Sequence, residues 1–173
     1  KEEYDGKAHG IEVTVTAPKT GYTVRYGEKE GTYDKESLTY TDVGEHTVYY
    51  QVTAENYVTK TGSATVEITT RGLDIDPDGD GSEDADGNVI ITLDPAEYTY
   101  DGKAKEPAVT VTDKDTGVVV PTSEYKVAYK DNVDAGTAKV TISDVSGGQY
   151  TVSGNKTFTI LPKTVGLKWK STA

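Results

Sequence analysis

Hydrophobic and polar residues alternate along most of this chain with a period of two. Ile11, Val13 and Val15 form one such run, followed by Tyr22, Val24 and Tyr26, and by Val48, Tyr50 and Val52. The spacing returns at Val109 and Val111, at Tyr125, Val127 and Tyr129, at Ala138, Val140 and Ile142, and at Phe158 and Ile160. Successive side chains of a strand point to opposite faces, so the pattern predicts strands with one buried and one wet face, as in antiparallel sheet. No window sustains the i, i+3, i+4, i+7 apolar spacing of an amphipathic helix. Residue choice agrees, with 27 Thr and 20 Val against five Leu and no Met. β-branched side chains are stiff at χ1 and suit a pleated surface better than a helix. The predicted fold class is all-β.

The chain also repeats itself. Tyr4-Asp5-Gly6-Lys7-Ala8 returns as Tyr100-Asp101-Gly102-Lys103-Ala104 at an offset of 96, and Val13-Thr14-Val15-Thr16 returns at Val109-Thr110-Val111-Thr112 at the same offset. Tyr22-x-Val24-x-Tyr26 matches Tyr125-x-Val127-x-Tyr129 at an offset of 103. Asp42-Val43-Gly44 leading into Val48 matches Asp134-Ala135-Gly136 leading into Val140 at 92, and Gly62 to Ile68 matches Gly154 to Ile160 at 92 again. The offset changes within Gly-, Asp- and Thr-rich stretches that read as loops. Two copies of one β-unit are therefore expected.

The second copy opens with an apolar strand, Val89-Ile90-Ile91-Thr92-Leu93, whose counterpart in the first would fall before Lys1. Beyond the second copy, Val165-Gly166-Leu167-Lys168-Trp169 resembles that opening strand. The predicted organisation is a first repeat at 1–70 without its first strand, an acidic linker at 71–88, and a complete second repeat at 89–162. Residues 163–173 then read as a linker and the first strand of a truncated third repeat. Short strands separated by turn signals within about 70–75 residues suit a small sandwich. The absence of Met and of a leader-like N-terminus is expected of a piece of something longer.

The Tyr-Asp-Gly-Lys-Ala turns, the Val-Thr-Val-Thr strands, the Asp-x-Gly turns and the closing Thr-rich strands together resemble the tandem YDG and MBG-type repeats of bacterial surface proteins, mainly Gram-positive. The resemblance covers most of residues 1–70 and 89–162. It implies two tandem small immunoglobulin-like antiparallel β-sandwich repeats joined by an acidic linker. It also implies an extracellular, cell-surface setting and a part in spacing, presentation or adhesion instead of catalysis.

Charge narrows the partners. Acids outnumber bases 29 to 18, for a net charge of −11, which argues against a nucleic-acid binder needing a basic stripe. No apolar run reaches the roughly 20 residues of a membrane span. Without cysteine there is no disulfide framework, zinc–thiolate site or thiol nucleophile. Seven acids crowd residues 74–86. Asp76, Asp78 and Asp80 followed by Gly81 reproduce the D-x-D-x-D-G opening of a calcium loop, in which alternate carboxylates converge on one hard cation. Asp84 falls at the ninth position, but Gly87 stands at the twelfth, where a bidentate Glu belongs, leaving Asp86 as a substitute. The five aspartates are candidate calcium ligands, and the alternative is a solvated, self-repelling acidic linker. Calcium is the one cofactor the sequence suggests.

Other candidates dissolve into scaffold. Leu161-Pro162-Lys163-Thr164 begins like a sortase signal, but Val165 stands where Gly belongs and no hydrophobic tail follows. His9 stands where the second copy has Lys105, and His46 where it has Ala138, with no nucleophile elbow nearby. The Asp-Gly pairs read as tight turns. Tyr125 and Tyr129 read as core residues with tethered hydroxyls, whereas Tyr33 and Tyr49 are candidates for exposed contact. Asn155-Lys156 invites an isopeptide crosslink, yet no partnered Lys and acid can be placed. The expected function is a non-catalytic stalk or spacer. The alternatives are a module binding glycans or glycoproteins, and an accessory domain of a secreted carbohydrate-active enzyme. An oligomer is expected only by strand donation from Val165–Trp169 into the first copy.

Overall fold

The computed structural model describes residues 1–75 and 87–170. They are all-β apart from a single 3-10 turn at Thr122–Glu124, and the chain divides into two units, Lys1–Arg71 and Gly72 onward.

In unit 1 the strands are β1 (Glu2–Glu3), β2 (His9–Gly10), β3 (Tyr22–Gly27), β4 (Thr39–Tyr40), β5 (Gly44–Ala54) and β6 (Lys60–Thr69). The main sheet runs β1-β6-β5-β3, and β2 pairs with β4 separately. The long β5–β6 ladder is antiparallel, from Gly44 opposite Ile68 to Val52 opposite Lys60. Its turn uses Asn56 in the left-handed region (φ 64°) and a bond from Tyr57 N–H to Ala54 C=O. Asn tolerates that conformation better than other non-glycine residues. β3 lines the free edge of β5 antiparallel, while β1 joins β6 in parallel. Tyr26, Leu38, Val48, Val66 and Ile68 form the core, with Tyr4, Ile11, Val13, Val24 and Tyr50 packed around it.

Unit 2 contains β7 (Arg71–Asp74, of which the first residue is the last of unit 1), β8 (Val89–Asp94), β9 (Glu97–Thr99), β10 (Ala108–Asp113), β11 (Tyr125–Lys130), β12 (Gly136–Asp144) and β13 (Tyr150–Leu161). β11-β12-β13-β7 form one sheet, with β9 also paired to β13, and β8 and β10 form another. The predicted alternation is visible here: Val89, Ile91 and Leu93 of β8 and Ala138, Val140 and Ile142 of β12 are buried, and their neighbours in sequence are exposed. The two sheets meet over Gly154 of β13. A Cβ built there would lie 2.5 Å from Ile75 Cγ2 and 3.0 Å from Ile91 Cδ1, closer than packed side chains tolerate. Only glycine leaves room for both isoleucines.

Strand pairings recur at the offsets read from sequence. Gly44 opposite Ile68 in unit 1 becomes Gly136 opposite Ile160 in unit 2, and His46 opposite Val66 becomes Ala138 opposite Phe158. The short parallel pairing of Glu2 with Ile68 becomes Tyr98 with Ile160. The bridge of His9 to Tyr40 becomes Lys105 bonded to Asn132, main chain to main chain at 2.7 Å and through the Asn132 amide at 2.9 Å. The β3–β5 and β11–β12 ladders differ, since Tyr26 stands opposite Tyr50 but Tyr129 stands opposite Val140, a slip of two residues at the 92 offset. An even slip keeps every side chain on its original face.

Two expectations meet a different structure. The Ile11–Val15 run forms no strand, although Ile11, Val13 and Val15 are half-buried and the residues between them exposed. Its equivalent, β10, is held against β8 from Ala108 opposite Asp94 to Asp113 opposite Val89. Unit 1 has no strand equivalent to β8 among the described residues, and an extended segment without a ladder partner is not a strand.

The second difference lies at 71–88. Residues Arg71–Asp74 form β7 of the unit 2 sheet, with Leu73 and Ile75 about as buried as any residue in the chain. Asn88 N–H donates to Asp74 C=O at 3.1 Å, Asp74 N–H to the Asn88 side chain at 2.9 Å, and the Asn88 amide to Gly72 C=O at 2.7 Å. Both flanks of the acidic stretch, Asp74 and Asn88, are thus fastened within unit 2. Composition suggested a linker because its charge outweighed two apolar residues, Leu73 and Ile75, set at strand spacing.

If β7 is an integral strand, Leu73→Ala should lower the stability of unit 2 by about 2–5 kcal/mol, as for other buried leucines. Calorimetric unfolding should show the unit 2 transition displaced and the unit 1 transition unmoved. A linker residue would give a change within about 0.5 kcal/mol.

Candidate functional site

The most chemically distinctive groups lie at the two Tyr-Asp-Gly turns. Gly6 and Gly102 adopt φ of +74° and +79°, a region open to glycine at no steric cost. Asp5 Oδ1 accepts the Lys7 N–H at 2.9 Å, and Asp101 Oδ1 accepts the Lys103 N–H at 2.9 Å. Each is a side chain bonding its own backbone two residues on, which closes the turn. Four residues further along, a side-chain nitrogen clamps each aspartate. His9 Nε2 lies 2.8 Å from Asp5 Oδ1, and Lys105 Nζ lies 2.6 Å from Asp101 Oδ1. A carboxylate only accepts, so Nε2 of His9 carries the proton in that bond. The Lys105 side chain is mostly buried and its ammonium sits 5.7 Å from the Tyr98 ring centre, itself edge-on to Phe158 at 5.8 Å.

These contacts hold both carboxylates ionised. The Lys7 N–H, and then the His9 side chain, bring Asp5 down to about 2. The Lys105 ammonium, and then the Lys103 N–H, lower Asp101. Neither acid is left to move a proton near neutrality, and both aspartates serve the turn.

His46 stacks on Tyr40 with ring centres 4.1 Å apart and planes 10° from parallel, and its Nε2 lies 2.9 Å from Asp42 C=O. Tyr40 is also the strand partner of His9. Both histidines thus flank one tyrosine, and among the described residues no three His, Asp or Glu side chains gather in a way that could hold a metal ion. The candidate calcium ligands Asp76, Asp78, Asp80, Asp84 and Asp86 all lie outside the described residues.

The tyrosines divide as follows. Tyr125 and Tyr129 donate their hydroxyls to Val109 C=O at 3.2 Å and Pro107 C=O at 2.7 Å, and burial pushes both phenols up. Tyr33 and Tyr49, read as candidates for exposed contact, are half-buried. Asn155 accepts a bond from the Thr141 hydroxyl at 2.9 Å across the β12–β13 ladder.

Sequence reasoning missed one feature, a cleft of about 250 Å³ in unit 1 lined by Ala17, Pro18, Val52, Ala54, Tyr57, Val58 and Lys60. Tyr57 is 54% and Val58 84% exposed. The signal was present in the offsets, because Val58 corresponds to Tyr150 at 92, and Tyr150 is buried in unit 2. The two equivalent positions therefore differ in burial, one exposed and the other sealed.

No family model and no curated protein matches the chain. Among solved structures it is similar to SGBP-B of the Bacteroides ovatus mixed-linkage glucan utilization locus, in complex with a mixed-linkage heptasaccharide, at 14% identity and a TM-score of 0.30. The match covers 92% of this chain but 42% of that one, so the chain spans less than half of that protein's length. Among the described residues, no helix is long and apolar enough to cross a membrane.

The bonds to Asp5 generate a pH dependence of known sign. Its folded value of about 2 lies below the ordinary 3.8. The resulting stabilisation is complete above that ordinary value and is lost as pH falls through the folded one. Thermal melts between pH 5 and 2 should show unit 1 losing stability across this window, and Asp5→Asn should flatten that slope. An unchanged slope in the variant would assign the acid sensitivity to other carboxylates.

Proposed function

We propose that the chain is a non-catalytic extracellular repeat segment of a bacterial surface protein, two small immunoglobulin-like β-sandwich modules that space or present another part of that protein. The recurrence of the same scaffold devices supports this reading most. Asp5 and Asp101 close the same turn with the same 2.9 Å bond, each clamped from four residues on, and Gly44 opposite Ile68 recurs as Gly136 opposite Ile160. What the units share, the turn closure and the ladder register, fixes the backbone. That recurrence suits modules whose task is to keep their shape while carrying load or distance.

A second reading, a module that binds glycans or glycoproteins, is favoured by the unit 1 cleft. Tyr57 offers an exposed aromatic face beside Pro18 and Val58, a surface on which the apolar face of a sugar ring can stack. An accessory role beside a carbohydrate-active enzyme would use the same groups.

Glycan and mucin arrays, followed by calorimetry of any positive, separate the two. The spacer reading expects no saturable binding up to about 1 mM sugar, the weak end of specific recognition. It also expects two discrete unfolding events when the chain is pulled from its ends. A glycan that binds the intact chain and is lost on Tyr57→Ala would replace the spacer reading with the second.

A further inference from the structure

We infer that the outward face of β11, β12 and β13 in unit 2 is a binding surface for an acidic polysaccharide, whose carboxylate or sulfate groups meet Lys126, Lys130 and Lys139. The inward face of these strands is core, with Tyr125, Val140, Ile142 and Phe158 buried. Alternation sends Lys126, Ala128 and Lys130 of β11 to the other side, opposite Ser143, Thr141 and Lys139 of β12, and all six are exposed. Lys130 therefore stands directly across from Lys139. Lys126 lies about 13 Å from Lys130 at the rise of a strand.

Charge on this face is one-sided. In a chain with 29 acids and 18 bases, the outward positions of the three strands carry no carboxylate. Asp144, the last residue of β12, falls on the other parity, opposite Tyr125. Glu124, just before β11, accepts the Gln149 and Tyr150 N–H groups at 2.7 and 3.3 Å. Glu97 stands at the margin on β9, and Asp131 and Asp134 lie in the loop after β11. Among the described residues, none of the three lysines makes an ion pair. Like charges directly opposite on a ladder are destabilising, and the scaffold does not require them. At the offsets of 103 and 92, unit 1 has Thr23, Gly27 and Thr47 where unit 2 has Lys126, Lys130 and Lys139. Arg25, the β3 cation on that face of unit 1, is paired with Glu36 at 3.2 Å. Unit 2 alone keeps a repulsion that a bound anion would relieve.

The groups between the lysines select a sugar polymer. The Thr141 hydroxyl donates to Asn155 Oδ1 at 2.9 Å, which leaves the Asn155 NH2 as a donor without a partner among the described residues. The Ser143 hydroxyl stands opposite Lys126. Hydroxyl and amide groups exchange hydrogen bonds with sugar hydroxyls, while ammonium groups act as point charges for the acid groups spaced along the polymer. An extended chain can reach Lys126 and the Lys130–Lys139 pair at once, which a single small anion cannot. A nucleic acid would call for aromatic side chains to stack its bases, and the outward positions have none. An anionic membrane surface would call for an apolar face to insert, and only Ala128 and Leu161 are apolar there.

Calorimetry of the full chain with polygalacturonate and with heparin, against dextran as the neutral polymer, tests this. At least one polyanion should bind and dextran should not, and the affinity should fall as salt rises, because screening acts on each exposed ion contact. Lys126→Gln with Lys130→Gln and Lys139→Gln should weaken binding by about tenfold or more. Lys163→Gln with Lys168→Gln and Lys170→Gln, an equal change in net charge, should leave it within about twofold. The unit 2 melting temperature of the first variant should hold or rise, since a repulsion is removed, and Lys126→Gln alone repeats the test at one contact. Amide signals of Thr141 and Asn155 should move on titration. Failure of both polyanions to bind, equal affinity of the lysine variant, equal binding of dextran, or polyglutamate bound as tightly as the polysaccharides would each overturn the inference. So would binding lost on Tyr57→Ala and not with the lysines, which would assign it to the unit 1 cleft. Where no glycan binds at all, the spacer reading stands and this inference falls. Where a polyanion binds through the lysines, the spacer's expectation of no saturable glycan contact falls instead.

Discussion

A strand exists only if the strand beside it completes its hydrogen bonds, and this requirement governs the differences between the two units. Val13-Thr14-Val15-Thr16 and Val109-Thr110-Val111-Thr112 have the same sequence and the same alternation. One is β10, with Val111 sealed against Ile91, and the other is an extended segment with Val15 half exposed. Local propensity is identical in the two places. The presence of β8 makes the difference, by giving outward-facing N–H and C=O groups a partner and by covering the apolar side chains.

Where both units have all the strands a ladder needs, their geometry is closely similar, the two-residue slip of β11–β12 against β3–β5 apart. The β5–β6 and β12–β13 ladders keep one register, and the short parallel strands β1 and β9 join them at equivalent residues. The Asp-Gly turns just beyond those short strands are locked in the same way, although the clamp is His9 in one and Lys105 in the other. The geometry that the clamp enforces is unchanged.

The acidic stretch takes on a different meaning once its flanks are located. Asp74 and Asn88 are bonded to each other, and Lys114 adds a main-chain bond to Asn88 and a side-chain bond to Gly87 C=O at 3.2 Å. The charge is therefore carried by a connection between β7 and β8 of one unit.

Much of this protein was legible in its residues. Period-two alternation and the abundance of Val and Thr determined the all-β class, because these patterns act through each residue's own side-chain direction and stiffness. The offsets of 96 and 92 located equivalent turns and strand pairs, since a turn such as Tyr100-Asp101-Gly102 is specified by a few adjacent groups. Partnership was not legible. Nothing local distinguishes Leu73 and Ile75 as a sheet strand from the acid-rich run they adjoin, or Val15 from Val111. Nor does Tyr57-Val58 announce itself as an uncovered face. In each case the outcome depends on which distant segment lies alongside, through main-chain bonds and apolar contacts that form only when the sheets assemble. Tertiary structure therefore decided where the strands begin, which edge stays open, and on which unit the acidic segment is anchored.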